Sequence, residues 1–299
     1  MRAAVVGASG YTGLELVRIL LRHPGFELAV VTSEQNAGKP LGEYAPGLAS
    51  LTDLTFEAVD VASIAKRVDF VFTALPHATS APVVKGFRAA GLPVVDLSAD
   101  FRLRDLDTYE SWYAPHPAPE LLDTAVYGLP EVYRDEVRKA QLVAAPGCYP
   151  TSVLLPLLPF LRAGVIEPGP VFVDSKSGTS GAGKKLVANL LFAEADSNCS
   201  TYAVGGKHRH VPEMEQEASL AAGSDVFLVF TPHLLPTIRG IVTSVYLTPK
   251  AGFDQAQADA ILNEAYADET FVRVLPQGQT PSLAAVRGSN FCDVAAVVD

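Results

Sequence analysis

Two α/β halves of different texture are predicted from this sequence, on three observations. Short β-branched runs alternate with amphipathic helical stretches through the first half. A glycine cluster, "GASGYTG", closes the first of those runs. Past about residue 147 the strand-like runs lengthen and the helical stretches between them thin out.

"RAAVV" opens the chain as a buried strand, and "GLELVRILLRH" follows with Leu14, Val17 and Leu21 at helical spacing. "FELAVVTS" reads as the second strand. "VDFVFTALP" and "LPVVDLSAD" are two more, separated by the helix-like "SAPVVKGFRAAG", which stops at Gly91 where a C-cap glycine is expected. "AQLVAAPG" is a further strand. Such alternation implies a parallel sheet covered on both faces. Its ligands bind beyond the carboxyl ends of the strands, where Gly7, Ser33, Pro76 and Ser98 fall. After Cys148, "GPVFVDSKSG", "SDVFLVFTPHLLP" and "IRGIVTSVYLTP" are longer strands with few helices between them, which predicts a mostly antiparallel sheet. The division falls near Gly147, giving domains 1–147 and 148–299.

Composition narrows the function. Lys and Arg number 23 against 33 Asp and Glu, a net charge of −10 that argues against nucleic acid or an anionic membrane as partner. An anionic ligand then requires a local positive cluster. No apolar run is long enough to span a bilayer. "MRAAVVGASG" enters a strand pattern at once, without the apolar core of a signal peptide. Cys148, Cys199 and Cys292 lack both metal-ligand spacing and a disulfide framework, so a cytoplasmic protein without a metal is expected.

Gly7, Gly10 and Gly13 stand between a strand and a helix. Glycines there allow a tight turn and let backbone N–H groups approach a pyrophosphate at the helix N-terminus. A plain tight turn is the bland alternative; the strand–turn–helix context favours a dinucleotide-binding Rossmann domain. The second strand ends in "VVTSEQNAGK", with Thr32 and Ser33 where an NAD site has an acid for the ribose diol. Hydroxyls with Lys39 nearby suit the 2′-phosphate of NADP, although Glu34 is adjacent.

Cys148 lies in "AAPGCYPTSVLLPLLPFLRAG". Pro150 fits the first turn of a helix, which sets Cys148 at its N-cap side, against free N–H groups and the positive end of the dipole. That setting favours the thiolate, lowering the pKa from its free value of about 8.5, and the same N–H groups can hold an oxyanion. The competing reading is a buried packing cysteine, the role assigned to Cys199 and Cys292. "GGKHRHVPEMEQE" offers a base. His208 and His210 alternate, so in an extended segment they face opposite ways and at most one reaches the thiol. Lys207 and Arg209 make the segment basic, as an anionic substrate needs, and Glu213 can orient a histidine; a solvated charged loop is the alternative. "SKSGTSGAGKK" is a loop rich in N–H and hydroxyl donors.

In this order, "GASGYTG", "LPHATS", "DLSADFRL", "YGLPE", "PGCYPT", "SGTSGAGK", "KHRHVPE" and "RGSNFCD" resemble the N-acetyl-γ-glutamyl-phosphate reductases of arginine biosynthesis, which group with the aspartate-semialdehyde dehydrogenases. The resemblance runs over essentially the whole chain. It implies a Rossmann NADP-binding domain joined to an α/β catalytic and oligomerisation domain, in a homo-oligomer (dimer or tetramer). It also implies NADPH-dependent reduction of a small-molecule acyl phosphate to a semialdehyde. Cys148 matches the nucleophile that forms a thioester and expels phosphate. His208 is preferred as acid–base, but spacing does not settle it over His210. Arg209, Arg102 from "DFRL" and Lys184 from "SGAGK" match groups that neutralise substrate charge, and Glu213 is grouped with them. Gly7, Ser9, Gly10, Tyr11, Thr12 and Gly13 match the pyrophosphate site and Ser33 the 2′-phosphate site. Leu75, Pro76 and Ser177 match the nicotinamide side. Such reductases usually continue past the strand "FCDVAAVVD" into a segment with a helix that returns to the cofactor domain, whereas Asp299 is the last residue here.

Four rival readings bear on the same residues. A lysine-pathway reductase of a protein-carried aminoadipyl phosphate keeps every catalytic residue. An aspartate-semialdehyde dehydrogenase fits "KHRHVPE" and "DFRL" less well. An NADP-binding redox sensor would tolerate loss of the histidines. A cysteine hydrolase leaves the glycine turn without purpose.

Overall fold

In the computed structural model, which describes residues 1–299, the β-branched runs of the first half become strands of one sheet. The chain divides into two units, Met1–Pro146 and Gly147–Asp299. The first unit contains β1 (Arg2–Val6), α1 (Tyr11–Leu20), β2 (Glu27–Val31), α2 (Leu41–Tyr44), α3 (Val61–Ala65) and β3 (Phe70–Thr73). It continues through α4 (Ser80–Ala89), β4 (Val94–Asp96), α5 (Leu106–Trp112), β5 (Ala125–Tyr127), α6 (Pro130–Lys139) and β6 (Leu142–Ala144).

Six strands in the order β2-β1-β3-β4-β6-β5 form this sheet, and every pairing is parallel. Alternation along β1 explains why the strands read as continuous apolar runs. Ala4 and Val6 enter a cluster with Phe87 and Leu142, while Val5 enters another with Val17, Leu20 and Phe56. Both faces are therefore buried. The edge strand β5 has no sequence signal of its own: unlike β4 and β6 it is not embedded in a longer apolar run, and two of its three residues are only partly buried.

The second unit begins with α7 (Cys148–Arg162), β7 (Val171–Gly178), α8 (Phe192–Ala195), β8 (Ser200–Thr201) and α9 (Val211–Ala222). After these come β9 (Leu228–Leu235), β10 (Ile241–Tyr246), α10 (Gln255–Tyr266), β11 (Val272–Val274), α11 (Leu283–Val286) and β12 (Cys292–Val294). Its main sheet runs β10-β7-β9-β8, and β11 pairs with β12 separately. The expectation of a mostly antiparallel sheet is corrected to a mixed one. β7–β10 and β8–β9 are antiparallel, but the central β7–β9 pairing is parallel over eight residues. The reason is topological: α9 lies in the connection from β7 to β9 and carries the crossover that a parallel pair requires. One face of this sheet packs on the helices, with Ser152 Oγ 2.8 Å from Thr243 Oγ1. The other leaves Phe172, Val229 and Tyr246 about half exposed or more.

Helix α7 is almost wholly apolar and its middle is fully buried: Val153, Leu154, Leu157 and Leu158 are at most 1% exposed. It also holds Pro156 and Pro159. A proline inside a helix deprives the carbonyl four residues earlier of its donor. For Pro159 that carbonyl belongs to Leu155, and the Tyr266 hydroxyl at the end of α10 donates to it instead. The break in the ladder is thus mended by a side chain from a second helix. No helix is long and apolar enough to cross a membrane.

Phe87 on α4 is fully buried and Ile19 on α1 is 53% exposed. Phe87→Ala is expected to lower unfolding stability by about 3–5 kcal/mol, and Ile19→Ala by less than about 0.5 kcal/mol, in urea titrations of the two variants. Equal effects would contradict the packing described for α4.

Candidate active site

The glycine turn after β1 is dictated by space. Gly7 has φ of 85°, a left-handed conformation, and a Cβ there would meet the Ala74 carbonyl oxygen at 2.6 Å. At Gly13, inside α1, a Cβ would fall 2.4 Å from the Gly7 oxygen, so only glycine lets the helix close on the turn. Around Gly10, the N-cap of α1, the nearest atom lies 3.9 Å from a Cβ position, leaving the backbone open to a ligand. No acidic residue stands in the first turn of α1 to oppose an anion there, and Tyr11 and Thr12 on that turn are exposed. These residues fit the pyrophosphate of a dinucleotide. Leu75 stands beside the turn, its Cδ2 3.0 Å from a Cβ built on Gly7, and Pro76 follows it.

Beyond β2, Ser33 is buried and donates to Ser9 Oγ at 2.9 Å, while Asn36 Nδ2 donates to Ser33 Oγ at 3.0 Å. The neighbouring acid is turned elsewhere, since Glu34 Oε1 accepts the Val59 N–H at 2.8 Å. Arg102, expected at the substrate, is only 6% exposed. Its Nε donates to the Ala145 carbonyl at 2.7 Å and Nη2 to the Leu97 carbonyl at 2.8 Å, tying the ends of β6 and β4 together. Those partners give it a structural engagement that the motif "DFRL" does not reveal.

In the second unit Cys148 is the first residue of α7, with Gly147 as N-cap, and it is exposed rather than packed away. The Gly147 N–H donates to Glu213 Oε1 at 2.8 Å. Glu213 is 1% exposed on α9, and its carboxylate anchors the backbone just ahead of the cysteine. A Cβ at 147 would fall 2.6 Å from His210 Nε2; the His210 imidazole therefore lies against the residue preceding Cys148.

His208 and His210 do not face opposite ways. The segment before α9 is a turn, not a strand, so a period of two does not apply, and the two rings stand 4.8 Å apart. His208 packs edge-on against Tyr149 and Phe230, each at 5.3 Å, and Tyr202 at 5.7 Å. Its Nδ1 accepts the His210 N–H at 3.1 Å, which leaves the proton on Nε2. Burial, and then the charge of Arg209, pushes its pKa down to about 4, so the ring is neutral at pH 7. The Tyr149 and Tyr202 hydroxyls are 2.7 Å apart, and burial raises the pKa of both. The motif "PGCYPT" carries a signal for Tyr149, whereas the sequence near Tyr202 carries none.

Lys184 and Arg209 are exposed. Ser177, on β7, is buried and its Oγ lies 3.1 Å from the Gly178 carbonyl. Cys199, read as structural, is exposed, and Cys292 is partly buried on β12.

Residues 2–140 match the family model of the semialdehyde dehydrogenase NAD binding domain, and residues 148–299 that of the semialdehyde dehydrogenase dimerisation domain. The chain is 50% identical over 299 residues to an N-acetyl-gamma-glutamyl-phosphate reductase of Citrifermentans bemidjiense, spanning all of this chain and 86% of the relative. It is also 50% identical over 302 residues to the reductase of that name from Geobacter sulfurreducens, again spanning all of this chain and 86% of the relative. Among solved structures, aspartate semialdehyde dehydrogenase II from Vibrio cholerae superposes with a TM-score of 0.71 at 18% identity. That superposition covers 98% of this chain and 87% of the other. The Candida albicans aspartate semialdehyde dehydrogenase gives the same TM-score and identity, covering 98% and 88%. At that identity the likeness speaks for the fold.

Gly147→Ala forces a methyl group into the His210 ring, so that the ring must move. The pH profile of Cys148 alkylation by iodoacetamide is expected to shift in this variant while far-UV circular dichroism stays unchanged. An identical profile would mean that His210 exerts no influence on the thiol.

Proposed function

The chain belongs to the N-acetyl-γ-glutamyl-phosphate reductase family of the semialdehyde dehydrogenases, and we propose that Cys148 and His210 are its reacting groups. The activity is reduction of N-acetyl-γ-glutamyl phosphate to N-acetylglutamate semialdehyde with release of phosphate. One observation carries the assignment of residues: an exposed cysteine opens α7, and the His210 imidazole lies against the residue before it.

The partial positive charge at the N-terminus of α7 favours the sulfur anion. His210 Nε2 takes the thiol proton, and the sulfur attacks the acyl carbon. The carbon–oxygen bond to phosphate then breaks, and the phosphate leaves with the bonding pair and takes up the proton held by His210. The thioester on Cys148 is the species to be reduced. NADPH held at the glycine turn would supply the hydride equivalent that brings the thioester carbonyl to the aldehyde level. Collapse of the resulting oxyanion breaks the carbon–sulfur bond and restores the thiolate. His208 suits a different task. Neutral, with Nδ1 occupied, it can only donate through Nε2–H, which fits an oxygen that gains charge. Exposed Lys184 and Arg209 supply the positive charge that the phosphate or carboxylate requires.

The nucleotide is read as NADP. Ser9, Ser33 and Asn36 form a cluster of hydroxyl and amide groups at the end of β2, and Glu34 is committed to Val59 rather than presented to a ribose diol. Gly7, Gly10, Gly13, Tyr11 and Thr12 hold the pyrophosphate, with Leu75 and Pro76 beside them. An aminoadipyl substrate is not favoured, since the full-length relatives carry the glutamyl name.

The open face of the second unit's sheet supports self-association. In register, Phe172 lies beside Val229 and Tyr246, all exposed, an apolar row that a second copy of this chain would cover.

With N-acetylglutamate semialdehyde, phosphate and NADP⁺, the protein is expected to form NADPH, at least about tenfold faster than NADH from NAD⁺; no NADPH from folded protein would end the assignment. Cys148→Ser is expected to reduce turnover by on the order of 10³ or more with NADP binding intact. His210→Asn is expected to cost about 10²–10⁴ and more than His208→Asn; the opposite order would return the acid–base role to His208. Phe172→Asp is expected to yield monomers in sedimentation where the parent is a dimer or larger, and a monomeric parent would dismiss the sheet-face interface.

A further inference from the structure

A second set of buried polar groups, at the carboxyl end of β4, has no role in the chemistry above. Asp96 accepts hydroxyl hydrogen bonds from Thr73 at 2.6 Å, Ser80 at 2.6 Å and Ser98 at 2.5 Å. Four residues on, Asp100 is fully buried. Its Oδ1 accepts the Ala78 N–H at 2.7 Å and the Tyr109 hydroxyl at 3.0 Å, and its Oδ2 accepts the Ala81 N–H at 2.9 Å. The Asp100 carbonyl is held in turn by His116 Nε2 at 2.6 Å.

A carboxylate stripped of water needs its oxygens served, and two of the three donors here come from one turn. That turn is unusual. Ala78 has φ of 62°, a left-handed conformation that residues with a Cβ avoid and that persists only where the surroundings impose it. Thr79, the N-cap of α4, makes no side-chain capping bond, and the Asp100 carboxylate serves the Ala81 N–H in its stead. The same stretch is fastened a third time, by the Ala99 N–H on His77 Nδ1 at 2.9 Å. Leu75 and Pro76 lead into this turn, and Leu75 abuts the glycine turn.

We propose that Asp100 is a positioning residue for nucleotide binding: its buried carboxylate locks the Leu75–Ala78 turn in place beside Gly7, presetting the wall that the nucleotide meets. The inference rests on the reading of the first unit as the NADP site and names a residue outside the glycine turn as a determinant of its affinity. Asn at 100 keeps the volume but replaces one acceptor by a donor that faces an N–H or hydroxyl proton.

The test is a fluorescence titration of NADPH against the parent protein, Asp100→Asn and Tyr109→Phe, with the rate of Cys148 alkylation measured on each. Asp100→Asn is expected to raise the Kd by about tenfold, with kcat at saturating NADPH within about threefold of the parent and the alkylation rate unchanged. Tyr109→Phe removes a single donor and is expected to raise the Kd about threefold. An unmoved Kd in folded Asp100→Asn, or a fall in kcat without a change in Kd, would overturn the inference. So would a parallel loss of alkylation, which marks general disruption. If the Asn variant does not fold, an unmoved Kd in Tyr109→Phe overturns it instead. A parent protein that binds no NADPH would remove the nucleotide reading itself, and the inference with it.

Discussion

One backbone N–H received by one buried carboxylate ties together the two helix starts at which Cys148 and His210 lie. Gly147 and Glu213 are 66 residues apart in sequence, and their hydrogen bond joins the start of α7 to the first turn of α9. The first helix opens with Cys148, and the second is capped by His210. Bringing the two helix starts together therefore brings thiol and imidazole into one neighbourhood. A hydrogen bond to a charged group contributes about 1.5–3 kcal/mol. Glycine at 147 follows from the same arrangement, because the imidazole already fills the space of a side chain.

The first unit combines backbone turns with buried polar side chains. Parallel strands point their carboxyl ends to one edge, and the turns there are shaped by glycine, by hydroxyls and by buried carboxylates. Gly7 and Gly13 permit contacts that any Cβ would forbid. Asp96 and Asp100 draw in hydroxyl and amide protons from neighbouring turns, so the edge is held by polar groups whose water has been removed. Arg102 does similar work with the opposite charge, pinning the carbonyls of Leu97 and Ala145.

Much of this was legible in the sequence wherever a local pattern carried it. Strands β1 to β4 and β6 announce themselves by apolar runs, the glycine turn by its place after the first, and Cys148 by the punctuation around it. What could not be read depends on tertiary partners. β5 is a partly buried edge strand outside any apolar run, and the parallel course of β9 beside β7 is set by the crossover through α9. "KHRH" gave both imidazoles but not their common side, because a turn and a strand share the same letters. Glu213 and Arg102 each also engage backbone groups distant in sequence, which no spacing rule reveals.

The repair at Pro159 reaches further than packing. Leu155 and Tyr266 are separated by 111 residues, and the carbonyl in the middle of α7 receives a hydroxyl from the end of α10. A ribosome delivers Leu155 long before Tyr266. Through that interval the nascent helix lacks the hydroxyl that serves this carbonyl, although α9 and β10, which also pack on it, are made earlier. The thiol-bearing helix can be made early, but it is finished late.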